Sequence, residues 1–185
     1  MARMRRASKL ILTGITVAAV TVVAAGLYLF QPWKLWQDET VQESLPSPAA
    51  TLSAEPASPG ESPAAPTGPL TVAAGTFISH EHTTTGVVKI VRLADGTHTL
   101  RLENLDTSNG PDLHVWLTDA PVREGREGWR VFDDGKYVNL GKLKGNKGSQ
   151  NYALPADAEL SDYTSVSVWC ARFGVSFGAA ELAQI

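Results

Sequence analysis

Cys170 is the single cysteine among 185 residues and lies in SVSVWCARFGVSFG at 165–178, one residue after Trp169. One thiol cannot close a disulfide within the chain. Its sulfur therefore packs, bonds to another molecule, or serves redox or ligand chemistry. Side chains alternate across a strand, which puts Val166, Val168 and Cys170 on one face and Ser167, Trp169 and Ala171 on the other. A thiol ending an apolar row behaves as a small hydrophobe with a raised pKa and little reactivity. Arg172 continues the same face, and a guanidinium beside the sulfur would favour the thiolate. Both readings stay open at this point.

The histidines are His80, His82, His98 and His114. His80 and His82, in SHEH, share a face if the segment is extended, and such a pair could bind a transition metal. It needs a third ligand and an outer shell to do so, and polar histidines in a surface loop are the simpler account. A type-1 copper site takes two histidines and a cysteine with a long axial Met. The methionines are Met1 and Met4 and no histidine follows Cys170, so copper is set aside and no metal site is assigned. There is no C-x-x-C or C-x-x-C-H for dithiol, zinc or covalent haem chemistry, and no G-x-S-x-G nucleophile elbow. Asp133 and Asp134, in VFDDGKY, read as a turn. Asp112, in SNGPD, reads as turn chemistry with a carboxylate free to hydrogen-bond a backbone or a ligand. Nothing here makes the protein an enzyme by itself.

The elements that must position these residues separate into three regions. Residues 1–9 carry Arg3, Arg5, Arg6 and Lys9, and residues 10–30 are an uncharged apolar run. As a helix that run covers roughly 30 Å, the hydrocarbon thickness of a bilayer. Asp38, Glu39 and Glu43 follow it. The asymmetry predicts a retained single-pass anchor with a cytoplasmic N-terminus and the remainder outside. A cleavable signal peptide, with VVAAG at 22–26 imitating a cleavage site, is the alternative. Tyr28, Trp33 and Trp36 fit an interfacial belt. Residues 31–74 read as an interfacial segment and a disordered linker, because seven of the eleven prolines fall in 44–74 and leave little to bury. Such a linker is a stalk of about 30 Å as a coil or roughly 95 Å as polyproline. It predicts a domain that searches for a partner near the membrane.

From Gly75 to Ile185, short runs of Val, Ile, Leu, Thr and aromatics alternate with Gly, Pro, Asn and Asp. The pattern predicts one all-β domain, a sandwich or barrel-like fold of about seven to nine strands. VVKIVRL and THTLRLENL, joined by ADG, form a hairpin. Leu113, Val115 and Leu117 point to the core. The loops 106–112, 119–136 and 144–149 are the candidate contact surface, and 119–136 carries Arg123, Arg126, Trp129 and Arg130. A net charge of −3 with scattered Lys and Arg beyond residue 9 excludes nucleic acid as a partner.

The succession GTFISHEHTTTGVVKIVRL, LRLENLDTSNGPDLHVWLTDAP, YVNLGKLKGNKGSQNYALP and SVSVWCARFGVSFGAAEL resembles the DM-thirteen domain, also called the electron-transfer DM-thirteen domain. The resemblance covers nearly all of 75–185. It implies an all-β extracellular or cell-surface domain whose hallmark cysteine matches Cys170, used as a bare thiol or as the attachment point of a prosthetic group such as haem. His82 and Asp112 match family positions and are carried over as candidate cofactor-binding residues. In animals such domains accompany cytochrome-type and hydroxylase-like domains. Here the domain stands alone on its anchor, so a redox partner must be another protein. Two functions follow: a tethered redox module using Cys170, or a surface binding or scaffold module in which Cys170 is core packing.

Overall fold

The computed structural model describes residues 2–46 and 68–185. Helix α1 covers Ala2–Phe30 and continues through a 3-10 turn at Pro32–Trp36. Leu12–Lys34 is long and apolar enough to cross a membrane. The strands, in chain order, are β1 Thr40–Gln42, β2 Leu70–Thr76, β3 Ile78–Ser79, β4 Thr85–Arg92, β5 His98–Asp106, β6 Leu113–Thr118, β7 Tyr137–Lys142, β8 Lys147–Ala153, β9 Ser165–Cys170, β10 Val175–Glu181 and β11 Ala183–Gln184.

Period-two alternation decides how these strands face. In β4 and β5 it turns Val88, Ile90, Leu100 and Leu102 to one side, and the two pair as the expected antiparallel hairpin, Val88 opposite Leu102 and Ile90 opposite Leu100. They sit inside a six-stranded sheet of order β1-β8-β5-β4-β2-β11. The second sheet has five strands in the order β3-β10-β9-β6-β7. Its inner row is Leu113, Val115, Leu117, Val166, Val168 and Cys170, and it joins the inner row of the first sheet in one apolar core. Each large aliphatic side chain so buried contributes roughly 1.5–3 kcal/mol. The fold is the expected β-sandwich, with eleven strands among the described residues. The strands beyond the expected seven to nine are short pieces without a long apolar run, such as TVQ, IS and AQ.

The outer face of the five-stranded sheet is buried as well. Trp116 and Trp169 stack at 5.0 Å between ring centroids, and Phe132 meets Trp169 edge-on at 6.2 Å. Phe132, fully buried, belongs to the 119–136 loop. Part of that loop closes over the sheet and both faces of β9 are dry as a result, while Arg123, Arg126 and Arg130 stay exposed on its outer side.

The composition boundary at Gly75 falls inside β2, which begins at Leu70. Strand β1 is also structured: it runs parallel to β8, with Thr40, Val41 and Gln42 opposite Lys147, Gly148 and Ser149. The helix and the domain are therefore separated by residues 31–39. The core of the expected disordered linker, residues 47–67, lies outside the described residues. Strands β1 and β2, on either side of it in the sequence, are both members of the six-stranded sheet.

Candidate functional site

Strand β9 ends on Cys170 where the sandwich closes. A tight turn follows, in which the N–H groups of Phe173 and Gly174 both donate to the Cys170 carbonyl, at 3.2 and 2.9 Å, and Gly174 takes a positive φ of 57°. Register places Leu113 of β6 opposite Cys170, so the SNGPD turn before β6 lies against the turn after β9. The Ala171 N–H donates to the Asp112 carbonyl at 3.0 Å and ties the two together. Gly110 lets the first turn approach, since a Cβ there would stand 3.0 Å from the Phe177 ring and 3.1 Å from Leu113.

The Cys170 side chain is fully buried, with Val166, Val168, Leu113 and Val175 in the same core. Burial pushes its thiol above the ordinary cysteine range; the backbone N–H groups of Phe173, Arg172 and Asp112 act in the opposite direction, and the Asp112 carboxylate adds a smaller upward push. The sulfur thus has a core side of alkyl groups and a rim side of backbone donors. Ala171, Arg172 and Phe173 in that rim are exposed, so the thiol lies one layer beneath the surface.

Of the expected site residues, Asp112 is brought to Cys170 through its backbone. Its carboxylate turns the other way, with Oδ1 3.1 Å from His114 Nε2 and 3.6 Å from Lys142 Nζ. His82 reaches the same end of the sandwich, where its ring lies over Phe177 with centroids 3.9 Å apart. Burial lowers its pKa, against the pull of Glu81. His82, Gly110, Pro111, Phe173 and Phe177 line one side of a cavity of about 240 Å³, whose other side is Phe30, Gln31, Pro32 and Lys34 at the end of α1 and in the turn after it.

Two expectations are corrected. His80 and His82 do not share a face, because residues 80–82 bend. His80 turns to the outer face of the five-stranded sheet, with Nδ1 2.8 Å from Ser176 Oγ and Nε2 3.1 Å from the Arg123 carbonyl. A carbonyl only accepts, so Nε2 carries the proton, and Nδ1 accepts from Ser176, which itself accepts from Ser167 at 2.9 Å. His80 is a strut that pins the 119–136 loop. The Arg172 guanidinium, in turn, does not serve the sulfur: it donates to the carbonyl of Leu29 in α1. Only its backbone N–H bears on Cys170.

Haem attached through Cys170 does not fit this site. The sulfur lines neither of the two cavities at this end. The cavity of about 240 Å³ is smaller than sites that hold even modest ligands, which start near 300 Å³. The other, about 490 Å³, is lined by polar and apolar groups in nearly equal parts, from Lys34 and residues 37–39 after the helix and from the segments 109–113 and 142–146. Rings that could offer a second axial bond are engaged, His80 with Ser176 and His82 with Phe177. Among the described residues no group of three or more His, Cys, Asp and Glu side chains gathers as a metal site.

A two-sheet sandwich carrying one buried thiol beneath its end turns defines a class of cysteine-bearing β domain. The family model for electron transfer DM13 matches residues 76–182, and the chain belongs to that family. No curated protein matches the chain. No solved structure matches it either. The family segment takes in β3 to β10 and leaves α1 and β1 outside.

The backbone N–H groups near the sulfur leave no mark in residue types, since any residue supplies an N–H and only the turn geometry aims it. Phe177 and Gly110 carried a readable signal, the glycine next to Pro111 and the aromatic in the final strand, but no spacing rule links them.

Proposed function

We propose that this chain is a membrane-anchored redox module, with its domain outside the cytoplasm, in which Cys170 exchanges electrons with the sulfur of a partner protein. The observation that carries this reading is the place of Cys170 at the end of β9, directly beneath a turn whose residues 171–173 are exposed, so that opening one turn bares the sulfur. A cysteine kept for packing can sit anywhere in the core, whereas one that reacts needs a short path to the surface. Membership of an electron transfer family supports the same reading. Arg3, Arg5, Arg6 and Lys9 before the span and Asp38, Glu39 and Glu43 after it support the orientation.

With one cysteine, a disulfide takes its second sulfur from another molecule. In an exchange, the Cys170 thiol loses its proton to solvent and its sulfur attacks one sulfur of the partner's disulfide. The partner's S–S bond breaks and its second sulfur leaves as a thiolate. The Ala171–Gly174 turn must open for this, because the resting sulfur has no exposed surface.

A second reading, a surface binding or scaffold module with Cys170 as filling, draws on that same enclosure and on the apolar row Val166, Val168, Cys170. Incubating the full chain in detergent micelles with oxidised glutathione separates the two by intact mass. The redox reading expects one adduct on Cys170, forming faster as pH rises, reversed by reduced glutathione and absent from Cys170→Ser. A folded chain that forms no adduct at any pH short of unfolding favours the packing reading.

A further inference from the structure

We propose that the edge of β8 is a built slot for the chain's own juxtamembrane strand, and that this strand clamps the domain onto the lipid surface with the Cys170 turn at headgroup depth. The inference rests on the membrane-anchored reading above.

The slot is shaped for β1. A Cβ on Gly148 would stand 2.0 Å from the Val41 carbonyl oxygen, and one on Gly145 would stand 2.5 Å from the Glu39 carbonyl oxygen. Two glycines thus open the edge where β1 crosses it, and Gly148 adopts a φ of 97° that other residues resist. The pairing is fastened at both ends. Upstream, Asn146 Oδ1 accepts from the Glu39 N–H at 2.7 Å, while its Nδ2 donates to Asp38 at 2.9 Å and to the Thr107 carbonyl at 2.7 Å. Downstream, the Glu43 N–H donates to the Ser149 carbonyl at 2.8 Å, and the Glu43 carboxylate accepts from Lys144 Nζ and from the Asn151 N–H at 2.7 Å. Arg101 donates to the Glu43 carbonyl at 2.9 Å. Asn146 is 1% exposed, so removing β1 would leave a buried amide without two of its partners.

The clamp fixes how close the domain lies. Phe173 stacks on Phe30 with ring centroids 5.8 Å apart, and Arg172 donates to the Leu29 carbonyl. The membrane-competent stretch runs to Lys34, four residues beyond Phe30. An aromatic side chain at that level sits at the boundary of headgroups and acyl chains, where interfacial segments bury about 5–10 Å. Trp33, 44% exposed, and Trp36, 81% exposed, stand at the same exit, as interfacial tryptophans do. Arg172 beside them can extend its head to phosphates. The turn over Cys170 then looks into the bilayer surface.

Neutron reflectometry of the full chain in a supported bilayer tests this. The expected profile has the domain layer in contact with the headgroups. Val41→Pro, which breaks the β1 pairing and lies outside the family segment, is expected to open a hydrated gap of about 30 Å, the reach of a flexible linker of this length. A gap of that size in the wild type overturns the proposal, as does a Val41→Pro layer that stays in contact. The wild-type profile alone decides if Val41→Pro does not fold. A chain that washes out of the bilayer removes the anchor itself and the proposal with it; a chain that stays but stands off refutes the clamp and leaves the anchor intact.

Discussion

At the residue scale the sulfur of Cys170 is held between two opposed influences, burial that favours the thiol and backbone donors that favour the thiolate, with burial the larger. The pH dependence has a definite sign. The folded state keeps its proton to a higher pH than the unfolded chain, so this group's contribution to stability is whole below the unfolded thiol pKa and is lost as pH rises from there through the folded value. Denaturant titrations at stepped alkaline pH should show the wild type losing stability above about pH 8.5 more steeply than Cys170→Ala. At neutral pH that variant should cost about 1–2 kcal/mol through its small cavity; equal alkaline slopes in the two proteins would count against this assignment. His80 has the opposite sign. Burial lowers its pKa, against the Arg123 carbonyl, so the unfolded chain takes up a proton that the folded ring resists, and stability falls as pH drops below about 6.5. His80→Leu should lose that acid increment, measured as the difference from wild type. It should also cost about 1–3 kcal/mol at neutral pH by leaving Ser176 and the Arg123 carbonyl short of a partner.

At the element scale, the edge pairing of β1 makes Gly148 a sensitive position. Gly148→Ala places a methyl against the Val41 carbonyl and forces a non-glycine residue to a φ of 97°. The expected cost is about 1–3 kcal/mol. Amide exchange should lose protection in residues 40–43 and keep it in the β4–β5 hairpin; retained protection in 40–43 would contradict the slot. This pairing also marks the limit of what the residues announce. The hairpin of β4 and β5, the inner row of β6 and the place of Cys170 beside Val166 and Val168 were legible, because period-two alternation acts over neighbouring residues. TVQ at 40–42 was not, because three residues carry no period and their partner lies over a hundred residues away in β8. The burial of both faces of β9 was equally hidden: it depends on Phe132 folding back from a loop rich in charge. At the candidate site, Cys170 and Asp112 could be named from type and motif. The burial that dominates the sulfur's character was legible as the apolar row; the opposing N–H groups come from the main chain, where side-chain identity says nothing.

At the scale of the whole molecule, the parts form one mechanical unit: an apolar helix, a short exit segment, a strand on the sheet edge, and a sandwich whose thiol-bearing end meets the helix terminus. Domain boundaries follow from this. A fragment 75–185 cuts β2 and discards β1, and so bares the edge of β8 and much of that of β4. It should be less stable and more prone to associate than a fragment 68–185, by thermal melting and light scattering; equal behaviour of the two would argue that β2 ends contribute little. The family name fits a module of this kind, yet it is the chemistry of one sulfur that decides whether electrons pass through it. The most direct measurement poises the vesicle-bound full chain at stepped ambient potentials with glutathione buffers and counts free thiol at each step after quenching and unfolding. The account predicts a single reversible titration of Cys170, complete in both directions and lost in Cys170→Ser. A thiol that remains wholly free at every potential the folded domain survives would contradict it.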